Sequence, residues 1–238
     1  MTSRDTARML LATPPVGYGI AGSSTGVTKA ARQSTSAKPG RSASTGKGAT
    51  ARPKPSRAPV ERATGAPDAS PTPVRIGVIS DNHGYLDEEI LTIFAGVDHI
   101  IHAGDVMDAA ILTALRTIAP VTAVSGNLDS GDLADELPRE ATGEVGGVRF
   151  VVAHKPRRLL KRLASGKISV GDDNADPDLV VWGHLHTPTA SWIDGVLHLN
   201  PGTASAPDEE DDGPTVAIVE ATPNGLAVEF VPVRRRPE

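Results

Sequence analysis

The chain has 238 residues, 39% of them hydrophobic but only 3% aromatic, which is enough for one sizeable, mainly aliphatic core. Cysteine is absent, which excludes disulfides and thiolate metal sites and leaves His, Asp, Glu and Asn to hold any metal. The net charge of −5 divides unevenly: residues 1–73 carry 11 Lys and Arg against 3 Asp and Glu (+8), and the remainder carries 13 against 26 (−13).

Residues 1–73 read as a disordered, basic, low-complexity tail. Ser34–Arg57 is built only of Ser, Thr, Ala, Pro, Gly, Lys and Arg, and neither a helical nor a strand period persists there. Such a stretch buries too little apolar surface to offset its ordering entropy. Met9–Ala12 is too brief for a signal-peptide core, although the basic, acid-poor composition is also that of a transit peptide. The charge suits weak contact with anionic surfaces, but no aromatics interleave it, so nucleic acid is not the favoured partner. No run approaches the ~18–20 apolar residues of a membrane span, so no membrane association and a cytoplasmic location are expected.

The folded part is expected from Val74 to Glu238. Val74–Ser80 is apolar and β-branched and predicts a buried strand. Leu86–Ala95 spaces Leu86, Ile90, Ile93 and Phe94 at a helical period. His99–Ala103 predicts a second strand, Ala109–Ile118 a second helix and Val121–Ser125 a third strand. This alternation implies a parallel sheet with helices packed on it. Val148–Ala153 is a further strand after the turn Gly146–Gly147, Pro156–Ser165 a basic helix with Pro156 in its first turn, and Leu179–Trp182 another strand. The rhythm then changes. Ser191–Leu199, Thr215–Ala221 and Leu226–Val233 are strand-like with turns between them, which predicts an antiparallel or mixed second sheet. The expected fold class is α/β, with two mixed sheets packed face to face and helices outside. Ala206–Gly213 predicts a solvated acidic loop.

Polar residues gather where the predicted strands end: Asp81-Asn82-His83-Gly84, Gly104-Asp105, Gly126-Asn127, His154 and Gly183-His184-Leu185-His186. Ligands of α/β sheets bind at the carboxyl ends of strands. Five successive ends delivering Asp, Asn or His to one rim point to a metal pair. Imidazole, carboxylate and amide oxygen suit manganese, iron, nickel or zinc better than calcium or magnesium. On an extended segment His184 and His186 would project to the same side and reach two adjacent metals. The neighbouring Gly84, Gly104, Gly126 and Gly183 allow tight turns and close backbone approach.

Ser80-Asp81-x-His83-Gly84, Gly104-Asp105, Gly126-Asn127-x-Asp129, His154, Gly183-His184-x-His186 and Asn200-Pro201-Gly202-Thr203 together resemble the calcineurin-like metallophosphoesterases over roughly residues 74–233. The likeness is greatest to the small bacterial and archaeal phosphodiesterase group, which shares its fold with a noncatalytic retromer subunit. The resemblance implies a four-layer αββα sandwich at 74–238. It places Asp81, His83, Asp105 and His186 on one divalent cation and Asp105, Asn127, His154 and His184 on the other, with Asp105 bridging. Manganese is the first expectation, with iron, nickel or zinc as others. It implies hydrolysis of a small phosphoester by in-line attack of a metal-bridging hydroxide, with Asp105, Asn127 and His154 as catalytic positions. Many relatives carry a histidine after the Gly-Asn pair; here Leu128 stands there. Lacking that acid, the chain should favour diesters with aryl or activated leaving groups.

Two other readings stay open: a phosphomonoesterase or nucleotidase, and a scaffold that kept the fold and lost catalysis. A nuclease on polymers is disfavoured by the −13 of the folded part. His99, His102 and His198 are expected to pack or hydrogen-bond within strands, with His102 available to orient a ligand. Asn82 reads equally as a substrate contact or a turn residue, and Asp129 as an orienter of a ligand or a cap. Lys155 reads as a phosphate contact or a solvated lysine. Arg157, Arg158, Lys161 and Arg162 read as a solvated helix face or a patch for anionic substrates. Oligomeric state has no signal in the sequence.

Overall fold

The computed structural model describes residues 73–171, 175–205, 213–222 and 225–234. Residues 1–72, with the expected basic tail, and 206–212, with most of the acidic loop, lie outside the described residues.

The first half follows its periodicity. β1 (Val74–Ile79) leads to α1 (Glu88–Ile93), β2 (His99–His102), α2 (Ala109–Arg116) and β3 (Val121–Ala123). Both helices start at an aspartate. Asp87 accepts the Glu89 N–H and Asp108 accepts the Ala110 N–H, which satisfies donors that the first turn leaves open. β1, β2 and β3 pair in parallel. Along β1, Ile76 and Val78 turn to one side, and Ile79 turns to the other with Ile90, Phe94 and Ile100. Gly77 lets α1 come close, because a Cβ there would lie 3.0 Å from the Phe94 ring.

α3 (Gly131–Glu136) and β4 (Glu140–Val145) follow, and neither was expected. β4 is polar, with Thr142 and Glu144 exposed, and it is stable as a strand because it is an edge paired antiparallel to β5 (Val148–Ala153). Gly143 lies under Phe150, where a Cβ would sit 2.5 Å from the ring. α4 (Pro156–Ala164), β6 (Leu179–Val181), β7 (Thr189–Ile193), β8 (Val196–Asn200), β9 (Thr215–Thr222) and β10 (Gly225–Pro232) complete the described elements.

Two five-stranded mixed sheets result, in the orders β10-β9-β1-β2-β3 and β4-β5-β6-β8-β7. The expected grouping of the last strands needs correction. The stretch 191–199 is a hairpin, β7–β8, turning at Asp194–Gly195 and joined to the second sheet. β9 and β10 instead extend the first sheet along the free edge of β1. The reason is the burial of β9 on both faces: Ala217 and Val219 face the second sheet, Val216 and Ile218 face the helical layer. A continuous apolar run is what a central strand requires.

Packing confirms the layers. Ile76, Val78 and Ile101 meet Phe150, Val152, Leu179, Val181 and Leu199 between the sheets. α1 and α2 cover the outer face of the first sheet. Leu159 of α4 packs on Val151, Val180 and Trp182 on the outer face of the second. Each fully buried Leu, Ile, Val or Phe contributes roughly 1.5–3 kcal/mol. The five strand ends that carry the polar motifs therefore open at one edge, three from the first sheet and two from the second. No helix among the described residues is long and apolar enough to cross a membrane.

Candidate metal centre

The loops after β1 and β2 are held together as a continuation of the ladder. The N–H groups of Asp81, His83 and Gly84 donate to the carbonyls of Gly104, Asp105 and Val106 at 3.0–3.1 Å. The loops after β5 and β6 are joined likewise by Gly183 N–H to the His154 carbonyl, 3.1 Å. Asp81, His83, Asp105, His184 and His186 all have positive φ, between 47° and 70°. Such conformations cost about 1–3 kcal/mol each and persist where surrounding structure imposes them.

These left-handed residues correct the reading of the His-x-His motif. His184 and His186 are not on an extended segment, and Leu185 N–H closes back on the Gly183 carbonyl at 2.8 Å. The two imidazoles separate to different partners: His186 lies against His83 and His184 against His154, each pair 5.1 Å between ring centroids.

Asp81 is fully buried. Its Oδ2 accepts from Ser80 Oγ (2.6 Å) and from His184 N–H (2.8 Å). Its Oδ1 has no hydrogen-bond partner among the described residues, and neither does His83 Nε2. Oδ1 lies 3.5 Å from His186 Nε2 and 4.0 Å from His83 Nε2. Ser205 Oγ lies 3.0 Å from His83 Nδ1 and fixes which nitrogen faces the cleft. Asp105 sits between the histidine pairs, its Oδ2 3.9 Å from His83 Nε2 and 3.3 Å from His154 Nε2. His154 is buried. Its Nδ1 donates to the Ala103 carbonyl at 2.9 Å, leaving Nε2 beside Asp105 and 3.1 Å from Asn127 Oδ1. With Nδ1 protonated, three acceptors converge, and they need a cation or a proton between them. Burial tends to raise Asp105, but the bonds from His154 and the Leu128 N–H outweigh it and hold the carboxyl below its usual range. Burial tends to lower His154, but Asp105 and Asp81 raise it overall. For exposed His184 burial comes first and the neighbouring His154 and Lys155 add to it, and the shift is downward.

Among the described residues two groups of donor atoms could hold a metal ion, each with all its atoms within 4.8 Å: Asp81, His83 and His186, and Asp81, Asp105 and His154. All seven residues singled out from the sequence thus stand in one cleft between the sheets. Orphaned buried acceptors and an all-O/N donor set fit divalent cations.

The other polar residues take supporting places. Asp129 accepts three backbone N–H groups, from Asp105, Met107 and Gly126, and so ties the β2 loop to the β3 loop. Asn82 is fully buried, donates to the Tyr85 carbonyl and accepts the Tyr85 N–H on its own carbonyl, the bonds of a turn residue. Thr203 Oγ donates to the Asp81 carbonyl, and Asn200 Nδ2 to that of Gly183. His99 contacts Thr122 and His198 packs on Trp182. Ser80, Thr203 and Ser205 were not given roles from the sequence, because hydroxyls at strand ends are common and their partners are distant.

His102 is fully buried; its Nε2 bonds Asn82 Oδ1 at 2.8 Å and its Nδ1 accepts the Gly104 N–H. Burial lowers its pKa to about 4. The unfolded chain then binds the extra proton between about pH 6.5 and 4, so stability present above pH 6.5 is lost as pH falls through that window. The loss attributable to this group is about 3 kcal/mol. Urea unfolding between pH 7 and 4 should show it, and His102→Gln should flatten that slope; equal slopes would contradict it.

Fold and cluster together define an α/β sandwich with a candidate metal-binding cleft between its sheets. A family model described as the calcineurin-like phosphoesterase superfamily domain matches residues 74–224. A protein of Methanocaldococcus jannaschii named a probable metallophosphoesterase is 38% identical over 143 residues, 56% of this chain and 69% of its own. A second protein of that organism, named a phosphodiesterase, is 25% identical over 147 residues, 54% of this chain and 83% of its own. Among solved structures, an archaeal phosphodiesterase superposes with a TM-score of 0.53 at 23% identity, covering 66% of this chain and 100% of that one. Vacuolar protein sorting 29 of Cryptosporidium parvum superposes at 0.55 with 20% identity, covering 68% and 92%. The two superpositions bear on the fold alone. The chain belongs to the calcineurin-like phosphoesterase superfamily.

Proposed function

We infer that the chain is a binuclear metal-dependent phosphodiesterase acting on a small phosphoester. The observation that carries this is the meeting of two histidine pairs on Asp81 and Asp105, with Asp81 Oδ1 and His83 Nε2 buried and without hydrogen-bond partners among the described residues. Asp81, His83, Asp105 and His186 would hold one cation, and Asp105, Asn127, His154 and His184 the other. Two divalent cations, manganese first and iron, nickel or zinc on the same donors, supply polarisation of phosphoryl oxygens and a water acidified toward neutral pH.

The chain's own residues do the rest. Asp81 and Asp105 bring negative charge to the cleft in a buried setting, and backbone donors fix one oxygen of each. Ser205 and the Ala103 carbonyl keep His83 and His154 turned with Nε2 inward. Leu128 is about half exposed beside Asn127 and carries no proton to give a leaving group. The leaving oxygen must therefore depart with little proton assistance from that position, which favours aryl or activated diesters over alkyl monoesters. Tyr85, Met107 and Leu185 are likewise exposed, each next to or two residues from a proposed ligand, and offer apolar surface to a second ester group.

The test is turnover of bis-p-nitrophenyl phosphate by the full chain with Mn²⁺. Hydrolysis should be saturable, stop with chelator and return on adding metal. Metal-dependent turnover of p-nitrophenyl phosphate with the diester untouched would favour the monoesterase. Less than one bound metal per chain with no turnover of either ester would favour the scaffold.

A further inference from the structure

Beside the proposed centre lies a cavity of about 240 Å³ whose lining includes Asn127 and His154. Its cationic lining is Arg139, Lys155, Arg158 and Arg162. The last three lie on one face of α4 and its N-cap, at spacings of three and four, and Arg139 is the residue just before β4. Glu140 is the one carboxylate in the lining, and it pairs with Arg162 at 2.9 Å. Arg139, Lys155 and Arg158 have no ion pair among the described residues. The first turn of α4 holds no acid either.

This runs against the charge of the rest of the domain. Residues 74–238 carry 13 cations against 26 acids, yet four of those 13 line this one cavity. Side chains scattered over an acidic surface would be expected to find carboxylates, and three here do not. Guanidinium groups held apart from carboxylates and beside a phosphate-handling site match a second phosphate in charge and geometry. The overall −13 argues against a long polyanion, while a cavity of this size admits one further phosphate group.

We propose that this cavity is an anion subsite that selects phosphodiesters carrying a second phosphate, bound by Arg139, Lys155 and Arg158 next to the scissile group. The proposal rests on the reading above for where the scissile phosphate lies. Its test is a binding ratio, measured by calorimetry on the full chain with Mn²⁺ near 0.15 M salt. Thymidine 3′,5′-bisphosphate should bind roughly tenfold or more tightly than thymidine 5′-monophosphate, as charge-assisted contacts to one added phosphate imply. In Arg139→Ala/Arg158→Ala, and separately in Arg158→Glu, that ratio should fall toward one while the melting temperature stays near that of the parent. A ratio near one in the parent, or one that survives both variants, overturns the subsite. Selective binding by a chain that fails to hydrolyse bis-p-nitrophenyl phosphate keeps the subsite and removes the phosphodiesterase reading; hydrolysis without selective binding removes the subsite alone.

Discussion

Asp105→Asn should lower kcat/KM for bis-p-nitrophenyl phosphate by about 10³-fold or more, equivalent to roughly 4 kcal/mol of transition-state stabilisation. The residue is buried at the meeting of both histidine pairs, with one oxygen near His83 and His154 and the other held by the Leu128 N–H. The amide is nearly isosteric, so packing changes little, but the charge that two cations would share is gone. Bound metal per chain should fall in parallel, measured by elemental analysis of dialysed protein. A variant that keeps full metal content and a rate within tenfold of the parent would remove Asp105 from the centre.

Gly126→Ala should damage the same site without touching a ligand. An added Cβ would lie 1.9 Å from Asp105 Oδ1 and 2.4 Å from Asp105 N. The φ of Gly126 is not in the left-handed region, so the clash alone is at issue. Asp105 cannot withdraw freely, because its N–H and that of Gly126 both donate to Asp129 Oδ2. Overpacking of this kind costs about 1–3 kcal/mol, and the displaced carboxylate should cost metal binding as well. Gly183→Ala presses on Ser80 Oγ at 2.0 Å and Asp81 Oδ2 at 2.6 Å and should behave alike. Thermal melting with and without Mn²⁺ measures both effects. Wild-type stability together with a wild-type metal-induced shift would show that the loops yield more easily than their hydrogen bonds imply.

Much of the site was legible because its residues stand at the ends of apolar, β-branched runs. Val74–Ile79, His99–His102, Val148–Ala153 and Leu179–Val181 end within a few residues of Asp81, Asp105, His154 and His184. What stayed hidden had local signals that were weak or misleading. β4 is polar and carries Gly143, so only its pairing with β5 makes it a strand. The His184-x-His186 spacing suggested an extended segment, and left-handed backbone at both residues replaces it. The two-sided burial of β9 decided its sheet, and that depends on neighbours remote in the chain.

By itself the sequence determined the donor types, their order along the chain and the strand ends that present them, since these follow from residue chemistry and period. The tertiary structure alone decided which imidazole meets which carboxylate. Those contacts are long-range: His184 N–H reaches Asp81 across 103 residues, and Ser205 orients His83 across 122. They arise only when two sheets pack face to face and their registers bring five loops to one edge. The same packing set Arg139, remote from α4 in the chain, with Lys155 and Arg158 beside His154, and among the described residues these three cations have no ion pair.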